Sequence, residues 1–320
     1  MESDLIGEGN SSLTEEARGR VIQAQSGFFD VETRQGVVVC QLRGKLKKGR
    51  KEGDIIAIGD WVQISIQEPG KGMIEEVEPR RSMLYRMAPT PRGEYQQVLV
   101  ANLDLAVFVF SIVQPEPRLG MLDRFLVIAE KEGLHSLIVV NKIDLGGKRQ
   151  AKNLFQRYQK IGYPVLYTSA ETKRGLRKLE KHLVGKTSLF AGPSGAGKSS
   201  LLNAIQPGLG LAINAVSEGT KKGKHTTVSR KLVPLSKGGY VADTPGLKAL
   251  DLWDITPEEV DGYFREISKT LKNCRFSDCT HTHEPGCAVI EAVEKGEIHT
   301  ERYESYLRLR EVEEDKIPWF

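Results

Sequence analysis

The chain has 320 residues, of which 39% are hydrophobic and 28% charged, and its formal net charge is +4. This composition excludes a disordered or fibrous protein, and the length predicts two or three domains, since single cores rarely grow that large. No window approaches about 18 uninterrupted apolar residues, and the N-terminus lacks the basic start and apolar run of a signal peptide, so we expect a cytoplasmic protein without a membrane segment.

The N-terminal quarter of the chain changes character at residue 17. Residues 1–16 are polar without periodicity, which predicts a flexible tail. Over residues 17–85, short alternating runs such as GVVVCQLRG are broken every eight to twelve residues by Gly, Pro or charged turns. This pattern predicts a small antiparallel barrel or sandwich. Core positions are expected for Cys40, Phe28, Phe29 and Trp61, and stacking on nucleic-acid bases is the alternative for the three aromatic residues.

Strands and helices alternate from residue 86 to residue 250. The run VLVANLDLAVFVFSIV, residues 98–113, predicts one continuous buried strand, and five later apolar runs bring the strand count to six. Helical patterns such as LDRFLVIAEKEG and KSSLLNAI separate these runs. We expect an α/β domain with a mainly parallel sheet, followed by a charged, helical region over residues 251–320.

The sharpest motif is GPSGAGKS, which fits the pattern G-x-x-x-x-G-K-[ST] between the strand TSLFA and the helix SLLNAI. Glycines let backbone N–H groups curl around phosphates, Lys198 can reach the β and γ oxygens, and Ser199 can ligate Mg²⁺. The predicted phosphate site is formed by Gly192, Pro193, Ser194, Gly195, Ala196, Gly197, Lys198, Ser199 and Ser200.

Three further motifs each follow a predicted strand. In NKID, Asp144 can accept hydrogen bonds from the N1–H and 2-amino groups of guanine, which adenine does not offer, so the motif predicts selection of GTP over ATP. In DTPG, Asp243 can hold Mg²⁺ through water, and the Gly246 N–H can meet the γ-phosphate. The guanine-binding motif consists of Asn141, Lys142 and Asp144. The backbone that supports the guanine ring is that of Thr168, Ser169 and Ala170.

The order of these motifs is circularly permuted. Ordinary GTPases begin with the P-loop and end with the SA motif, whereas here NKID and TSA precede the P-loop and DTPG comes last. Six strands still allow the usual sheet with new termini, and DTPG leads directly into the C-terminal region. Together these features closely resemble the RsgA (YjeQ) family of circularly permuted bacterial GTPases involved in small ribosomal subunit assembly, over nearly the whole chain from residue 17.

The resemblance implies an N-terminal OB-fold over residues 17–85, a permuted P-loop GTPase domain over 86–250 and a zinc-binding helical domain over 251–320. It also implies hydrolysis of GTP to GDP and phosphate during late assembly, stimulated by the 30S subunit, with Mg²⁺ bound beside GTP. The expected partners are GTP or GDP and the 30S subunit with its rRNA, and a monomer is expected. The alternative function is that of a GTP-sensing RNA-binding module with negligible hydrolysis.

The segment GTKKGKHTTVSR lies where a switch I loop belongs. Thr226 or Thr227 can ligate Mg²⁺ there, and we favour Thr227, although the residues alone do not separate the two. Leu247 follows DTPG, where a Ras-like enzyme has a water-orienting Gln. Similarity to the family's G-[RK]-H-T-T string suggests instead that His225 orients or deprotonates the attacking water. The alternative is a solvated loop histidine.

Four candidate metal ligands lie in the C-terminal region, at the spacing C-x4-C-x-H-x5-C. In a reducing cytoplasm such crowding favours a metal over a disulfide. Three thiols and an imidazole suit one tetrahedral structural Zn²⁺ with no open position. His283 is a rival fourth ligand by composition, but the family's pattern gives it no role. The predicted ligands are Cys274, Cys279, His281 and Cys287.

Two basic segments are candidate RNA contacts, because cations on an OB-fold neutralise phosphates. For the barrel segment a solvated loop is the alternative, and the family resemblance favours RNA; the switch I segment could add a second contact. The barrel segment contains Arg43, Lys45, Lys47, Lys48, Arg50 and Lys51. The switch I segment contains Lys221, Lys222, Lys224, Arg230 and Lys231, and it would couple RNA docking to hydrolysis.

Overall fold

A computed structural model describes residues 15–47, 53–90, 93–209, 230–243 and 255–311. Within these ranges the chain forms an N-terminal barrel, a central α/β domain and a C-terminal group of helices, as predicted. The boundaries at 85/86 and 250/251 stay predictions. No helix among the described residues is both long enough and apolar enough to cross a membrane.

The barrel has five strands: β1 (Glu15–Gln25), β2 (Phe28–Thr33), β3 (Gly36–Leu42), β4 (Trp61–Glu68) and β5 (Lys71–Val77). They follow the order β1-β2-β3-β5-β4, and β1 also pairs with β4, so the sheet closes on itself. The β3–β5 pairing is parallel and the other pairings are antiparallel. This arrangement confirms the OB-type barrel.

The barrel core consists of alternate inward side chains, among them Val21, Val31 and Ile74, and it contains Cys40 as predicted. Phe29 packs against this core. The core position expected for Phe28 is wrong, since 49% of this residue is exposed. The reason is strand alternation: neighbouring residues on β2 point to opposite faces, so Phe28 and Phe29 cannot both face inward.

A hairpin links the barrel to the central domain. It consists of β6 (Met83–Thr90) and β7 (Gly93–Ala101), which form a separate two-stranded antiparallel sheet. The single strand predicted over residues 98–113 is therefore wrong, because β7 ends at Ala101 and β8 begins at Leu105. Asn102 breaks the run: it has a left-handed φ of 53°, and its buried amide accepts from Arg81 N and donates to Gly59 O, both at 3.0 Å. Such a buried amide is stabilised by satisfying the backbone of other segments.

The central domain contains β8 (Leu105–Ser111), α1 (Leu119–Lys131), β9 (His135–Asn141), α2 (Ile143–Gly146), α3 (Lys148–Lys160), β10 (Val165–Tyr167), α4 (Leu176–Leu183), β11 (Thr187–Ala191), α5 (Lys198–Ile205), β12 (Arg230–Pro234) and β13 (Tyr240–Asp243). The sheet order is β10-β9-β8-β11-β13-β12. Five strands are parallel and β12 is antiparallel, which confirms six strands in a mainly parallel sheet. Apolar clusters cover both faces of this sheet.

The barrel and the central sheet are joined edge to edge. Strand β1 pairs with β12 through Gln23 opposite Lys231 and Ala24 opposite Arg230. A bulge between Val21 and Gln23 bends β1, so that one strand belongs to the barrel at one end and to the larger sheet at the other. The result is a continuous eleven-stranded sheet.

The C-terminal region contains α6 (Val260–Tyr263), α7 (Arg265–Ser268), α8 (Ala288–Glu294) and α9 (Thr300–Glu311). It packs on α1 through an apolar cluster that includes Val127, and through a buried ion network. In that network Arg302 of α9 donates to Asp123 of α1 at 2.7 Å and to Glu266 of α7 at 2.6 Å, and Tyr158 also donates to Asp123 at 2.7 Å. These contacts fix the C-terminal helices against the central domain.

Candidate nucleotide and metal sites

The nucleotide-binding motifs lie together at the carboxyl ends of the parallel strands. The NKID, TSA and P-loop motifs begin where β9, β10 and β11 end, and Asp243 is the last residue of β13. All four strands are parallel to one another, so their carboxyl ends meet at the same edge of the sheet. This is where open α/β sheets bind ligands.

Asn141 joins three of these motifs. Only 1% of this residue is exposed, and its amide donates to the P-loop carbonyl of Ala196 at 3.0 Å. Its side-chain oxygen accepts from the Ala170 N–H and from the Thr168 hydroxyl, each at 3.3 Å. The guanine loops and the phosphate loop are therefore held together by protein hydrogen bonds alone.

The rest of the predicted guanine site surrounds this amide. Asp144 is exposed in the first turn of α2, and the Ile143 N–H donates to Thr168 O at 3.2 Å, which links α2 to the TSA loop. Ser169 is fully buried, and its hydroxyl accepts from the Thr172 N–H at 3.0 Å. Lys142 has a left-handed φ of 60°, and its ammonium donates to the carbonyl of Gln114. An exposed carboxylate on a fixed turn suits recognition of the two guanine donors.

The P-loop conformation depends on glycine at two positions. Gly192 has a φ of 143°, and a Cβ there would lie 2.1 Å from Val109 O. Gly197 has a φ of 92°, and a Cβ there would lie 2.3 Å from the Asn141 amide nitrogen. A side chain at Gly192 would displace the backbone of β8, and one at Gly197 would displace the Asn141 amide, because non-bonded carbon atoms do not approach other heavy atoms that closely.

Lys198 opens α5, and its ammonium donates to Gly192 O at 2.7 Å and to Pro193 O at 2.9 Å. The lysine thus folds back over the loop, at the position from which a P-loop lysine reaches phosphate oxygens. Around it Ala196 is buried, Pro193, Ser199 and Ser200 are half-buried, and Ser194 and Gly195 are exposed.

Two of the residues predicted to hold Mg²⁺ belong to neighbouring parts of the sheet. Ser199 is the second residue of α5, which follows β11 and the P-loop, and Asp243 is the last residue of β13, the strand beside β11. Hydroxyl and carboxylate oxygens are the hard ligands that Mg²⁺ prefers, so these residues fit the ion. The remaining predicted groups lie outside the described residues: the Asp243 side chain, His225, Thr226, Thr227, Gly246 and Leu247.

The four cysteine and histidine ligands come together in the C-terminal region. Their ligand atoms all lie within 4.8 Å of one another. The His281 Nδ1 lies 3.6 Å from Cys274 Sγ and 3.4 Å from Cys287 Sγ, close to the edge of about 3.6 Å that zinc–sulfur and zinc–nitrogen bond lengths give a tetrahedron. The cluster can therefore hold a tetrahedral metal. His283, the rival ligand, is exposed and instead contacts the Thr282 hydroxyl.

Neighbouring groups orient the histidine. The Nε2 of His281 lies 3.3 Å from Asp261 Oδ2, which directs Nδ1 toward the thiols. The loop itself is fixed by α9, because the Tyr303 hydroxyl donates to His281 O at 2.6 Å and the Tyr306 hydroxyl donates to Thr280 O at 2.7 Å. Sequence reasoning missed Asp261, Tyr303 and Tyr306, since they lie 20, 22 and 26 residues along the chain from the residues that they contact.

Burial disfavours the thiolate form of Cys279 when no cation is bound. Burial and the neighbouring thiols raise the pKa of Cys279 to about 12, so this thiol is neutral at physiological pH when no cation is nearby. A bound metal would supply the charge that stabilises the thiolate. The chemistry of three buried thiols and one oriented imidazole fits Zn²⁺.

Two family models match this chain: the RsgA N-terminal domain over residues 18–74 and the RsgA GTPase over residues 77–253. The small ribosomal subunit biogenesis GTPase RsgA of Gemmatimonas aurantiaca is 45% identical, over 93% of this chain and 98% of that protein. The protein of the same name from Caldanaerobacter subterraneus is 42% identical, over 94% of this chain and 97% of that protein. The chain belongs to the RsgA GTPase family.

Solved structures agree with this RsgA membership. The crystal structure of YjeQ from Thermotoga maritima has a TM-score of 0.76 at 39% identity and covers 92% of this chain and 98% of its own. The structure of YloQ, described as a circularly permuted GTPase, has a TM-score of 0.73 at 32% identity and covers 95% and 96%. The RsgA-family protein is therefore a GTP hydrolase with the permuted motif order predicted from sequence.

Other surfaces of this RsgA-family GTPase bear on the RNA prediction. In the basic barrel segment, the Arg43 guanidinium hydrogen-bonds to Glu75, and Lys45 lies 3.6 Å from the same carboxylate. The hydrogen bond from Arg43 lowers the pKa of Glu75. Two of the six cations are thus partly neutralised within the protein, and Lys48, Arg50 and Lys51 lie outside the described residues.

Proposed function

We propose that this GTPase binds the small ribosomal subunit in its GTP-bound state during late assembly and leaves after hydrolysis to GDP and phosphate. The subunit accelerates an otherwise slow hydrolysis. The protein acts in the cytoplasm as a monomer and carries one structural Zn²⁺ on Cys274, Cys279, His281 and Cys287. The names of its relatives support the assembly step, and the link between barrel and sheet supports the stimulation.

The observation that carries the proposal is the pairing of β1 with β12. Arg230 begins β12, three residues after Thr227 of the switch I segment, and pairs with Ala24 of the barrel. Arg230 also donates to the carbonyl of Val98 in β7, at 2.9 Å. A ribosomal RNA that contacts the barrel would therefore act on the strand that anchors switch I. Partner binding and hydrolysis are then coupled through a short hydrogen-bonded path.

Different residues bind the nucleotide, hold Mg²⁺ and activate the attacking water. Asp144 selects guanine, and the P-loop N–H groups with Lys198 bind the phosphates and stabilise charge that develops on them. Ser199, Thr227 and Asp243 are the proposed Mg²⁺ ligands, and the ion would neutralise charge on the β- and γ-phosphates when bound. His225 orients or deprotonates the attacking water, since no glutamine follows DTPG.

The deciding experiment is phosphate release from GTP, with ATP as the control, by the purified protein with and without 30S subunits. We expect guanine-specific turnover that rises at least about tenfold with 30S, because the subunit fixes the switch in its reactive arrangement. Turnover indifferent to 30S would contradict the proposed partner and leave the hydrolase. Binding without turnover in either condition would favour the GTP-sensing RNA-binding module.

Variants separate binding from chemistry. Lys198→Ala removes charge-assisted phosphate contacts and is expected to weaken GTP binding about 100-fold. Asp144→Asn is expected to weaken GTP but not ATP binding. His225→Ala is expected to retain GTP affinity while 30S-stimulated hydrolysis falls about 100-fold. An unchanged rate in His225→Ala would remove this residue from the chemistry.

A further inference from the structure

A groove runs along the free edge of the central sheet, at β10. Its volume is about 320 Å³, and Leu166 and Tyr167 of β10 form its floor. β10 is the last strand in the sheet order, so within the described residues its outer edge has no partner strand. The start of α3 and the start of α4 flank the groove.

The groove is lined by cations that form no ion pair with another described residue. Lys148 of α3, Arg174 of the preceding loop and Lys178 of α4 line it, and all three are exposed. Its lining contains no acidic residue. Among the described residues, none of these three side chains has an ion pair or a side-chain hydrogen bond. Three uncompensated cations around one concave surface create a local potential that attracts an anion.

Helix ends add to this potential. Gly175, which lines the groove, is the N-cap of α4 and offers no side-chain cap. Lys148 is the first residue of α3, whose N-cap Gly147 likewise has none. Uncapped N–H groups and the positive ends of two helix dipoles therefore face the same region as the three cations.

We propose that the β10 groove, defined by Lys148, Arg174 and Lys178, binds phosphate groups of an RNA backbone. This inference rests on the proposed function for the identity of the RNA but not for the site itself. An acidic peptide is the other polyanion that could enter. It is disfavoured because a peptide that adds to a sheet edge takes its affinity from main-chain pairing, and β10 has only three residues.

The groove shares a loop with the guanine site. The Ser169 N–H, on the guanine side of this loop, donates to the carbonyl of Arg174 at 3.0 Å. Because this contact is made by backbone atoms, a change of the Arg174 side chain leaves it in place. Variants in the groove should therefore keep their affinity for GDP, which provides an internal control for folding.

The first test is lysine acetylation, read by mass spectrometry, on the full-length protein alone, with a mixed-sequence RNA hairpin, and with 30S subunits. We expect acetylation of Lys148 and Lys178 to slow at least fivefold with either RNA. Lys181, exposed on the same helix but outside the groove, should react unchanged. Equal protection of Lys178 and Lys181, or no protection of Lys178, would overturn the proposal.

The second test compares two triple variants with the same loss of charge. The groove variant carries Lys148→Gln, Arg174→Gln and Lys178→Gln, and the control carries Lys181→Gln, Lys269→Gln and Lys272→Gln, all exposed positions outside the groove. For the hairpin, the groove variant should bind about tenfold more weakly, and its slope of log affinity against log salt should be shallower by about 2 to 3. The control should match the wild type.

Two results would contradict the proposed groove site. One is an equal loss of hairpin affinity in both triple variants. The other is binding of a polyglutamate probe that depends on the groove while hairpin binding does not. The hairpin test needs no ribosome, so it separates the two proposals. If hairpin binding is lost in the groove variant but GTP turnover does not respond to 30S subunits, the proposed function is rejected and the groove site is retained. Normal 30S stimulation in the groove variant, with unaltered hairpin binding, would reject the site alone.

Discussion

The nucleotide site and the metal cluster are built over very different lengths of chain. Asn141 and Ala196, which hydrogen-bond in the nucleotide site, lie 55 residues apart, whereas the metal ligands fall between residues 274 and 287. Hydrogen bonds of Asn141 link the guanine loops of the nucleotide site to its phosphate loop. The metal cluster presents three thiols and an imidazole to one another, an arrangement that a cation stabilises. The first site is therefore expected to survive ligand removal, and the second is not.

Loss of a metal ligand should have the largest effect. At neutral pH, Cys279→Ser is expected to lower zinc affinity by more than about 100-fold. Removal of a residue that only orients a ligand typically lowers the affinity about 10- to 100-fold, and Cys279 is itself a predicted ligand. The local fold around residues 274–287 should open, while GDP affinity stays within about threefold. Zinc content and hydrogen exchange would measure this. His283→Ala is the control, and a metal-free wild type with normal exchange protection would contradict the zinc assignment.

The ion network that joins the two regions comes next. Arg302→Met leaves Asp123 and Glu266 buried without their cation, and removing one partner of a buried pair destabilises by about 3–5 kcal/mol. Denaturant unfolding should show this loss both with and without zinc, since the network contacts the central domain and not the metal. Arg308→Met, exposed on the same helix, should change stability by less than about 0.5 kcal/mol. Equal effects would show that the network contributes no specific stability.

Within the nucleotide site, Asn141→Ala should cause a smaller loss. It removes three hydrogen bonds and leaves the buried Ala196 carbonyl and the half-buried Ala170 N–H without this partner, which costs about 2–3 kcal/mol. GDP affinity should fall about 30- to 100-fold by calorimetry, with zinc content unchanged. A variant that binds GDP normally would show that the loops are held together by other contacts.

The smallest effect is expected at Glu284, which caps the metal loop. Burial acts to raise the pKa of this carboxyl, but hydrogen bonds from the Thr280 side chain and from the backbone N–H groups of Thr280, Glu284 and His283 outweigh it and hold the pKa well below its usual value. A depressed pKa stabilises the fold above the unfolded value of about 4.3, and that contribution is lost as pH falls. Glu284→Gln should therefore lower the melting temperature at pH 7 by a few degrees, and the difference should stay nearly constant down to about pH 4 and shrink at lower pH. A difference that stays constant well below about pH 4 would contradict this account.

Much of the fold could be predicted from sequence where the signal is local. The six-strand alternation, the P-loop between strand and helix, and the spacing of the metal ligands each occupy a short window. The structure forms six strands, although the first is shorter than predicted, and it brings the ligands together. The order of motifs also indicated the permutation. These features need no knowledge of which segments meet in space.

The missed features depend on contacts between distant segments. Asn102 ends a strand because its amide bonds to segments at Gly59 and Arg81, and the apolar run 98–113 gives no sign of this. The hairpin of β6 and β7 contains prolines that weaken its strand pattern. Asp261 and Arg302 were missed because their partners lie far away in the chain. Composition and periodicity do not encode such pairs.

The joining of β1 to β12 also bears on solubility. A sheet edge with unpaired N–H and C=O groups is a template for association with other chains, and proteins cover or shorten such edges. In this sheet one edge is the three-residue β10, and the other, β12, is covered by the barrel. The barrel thus protects the GTPase sheet from edge-to-edge aggregation, in addition to any contact that it makes with RNA. A central domain produced without its barrel would expose β12 and is expected to self-associate.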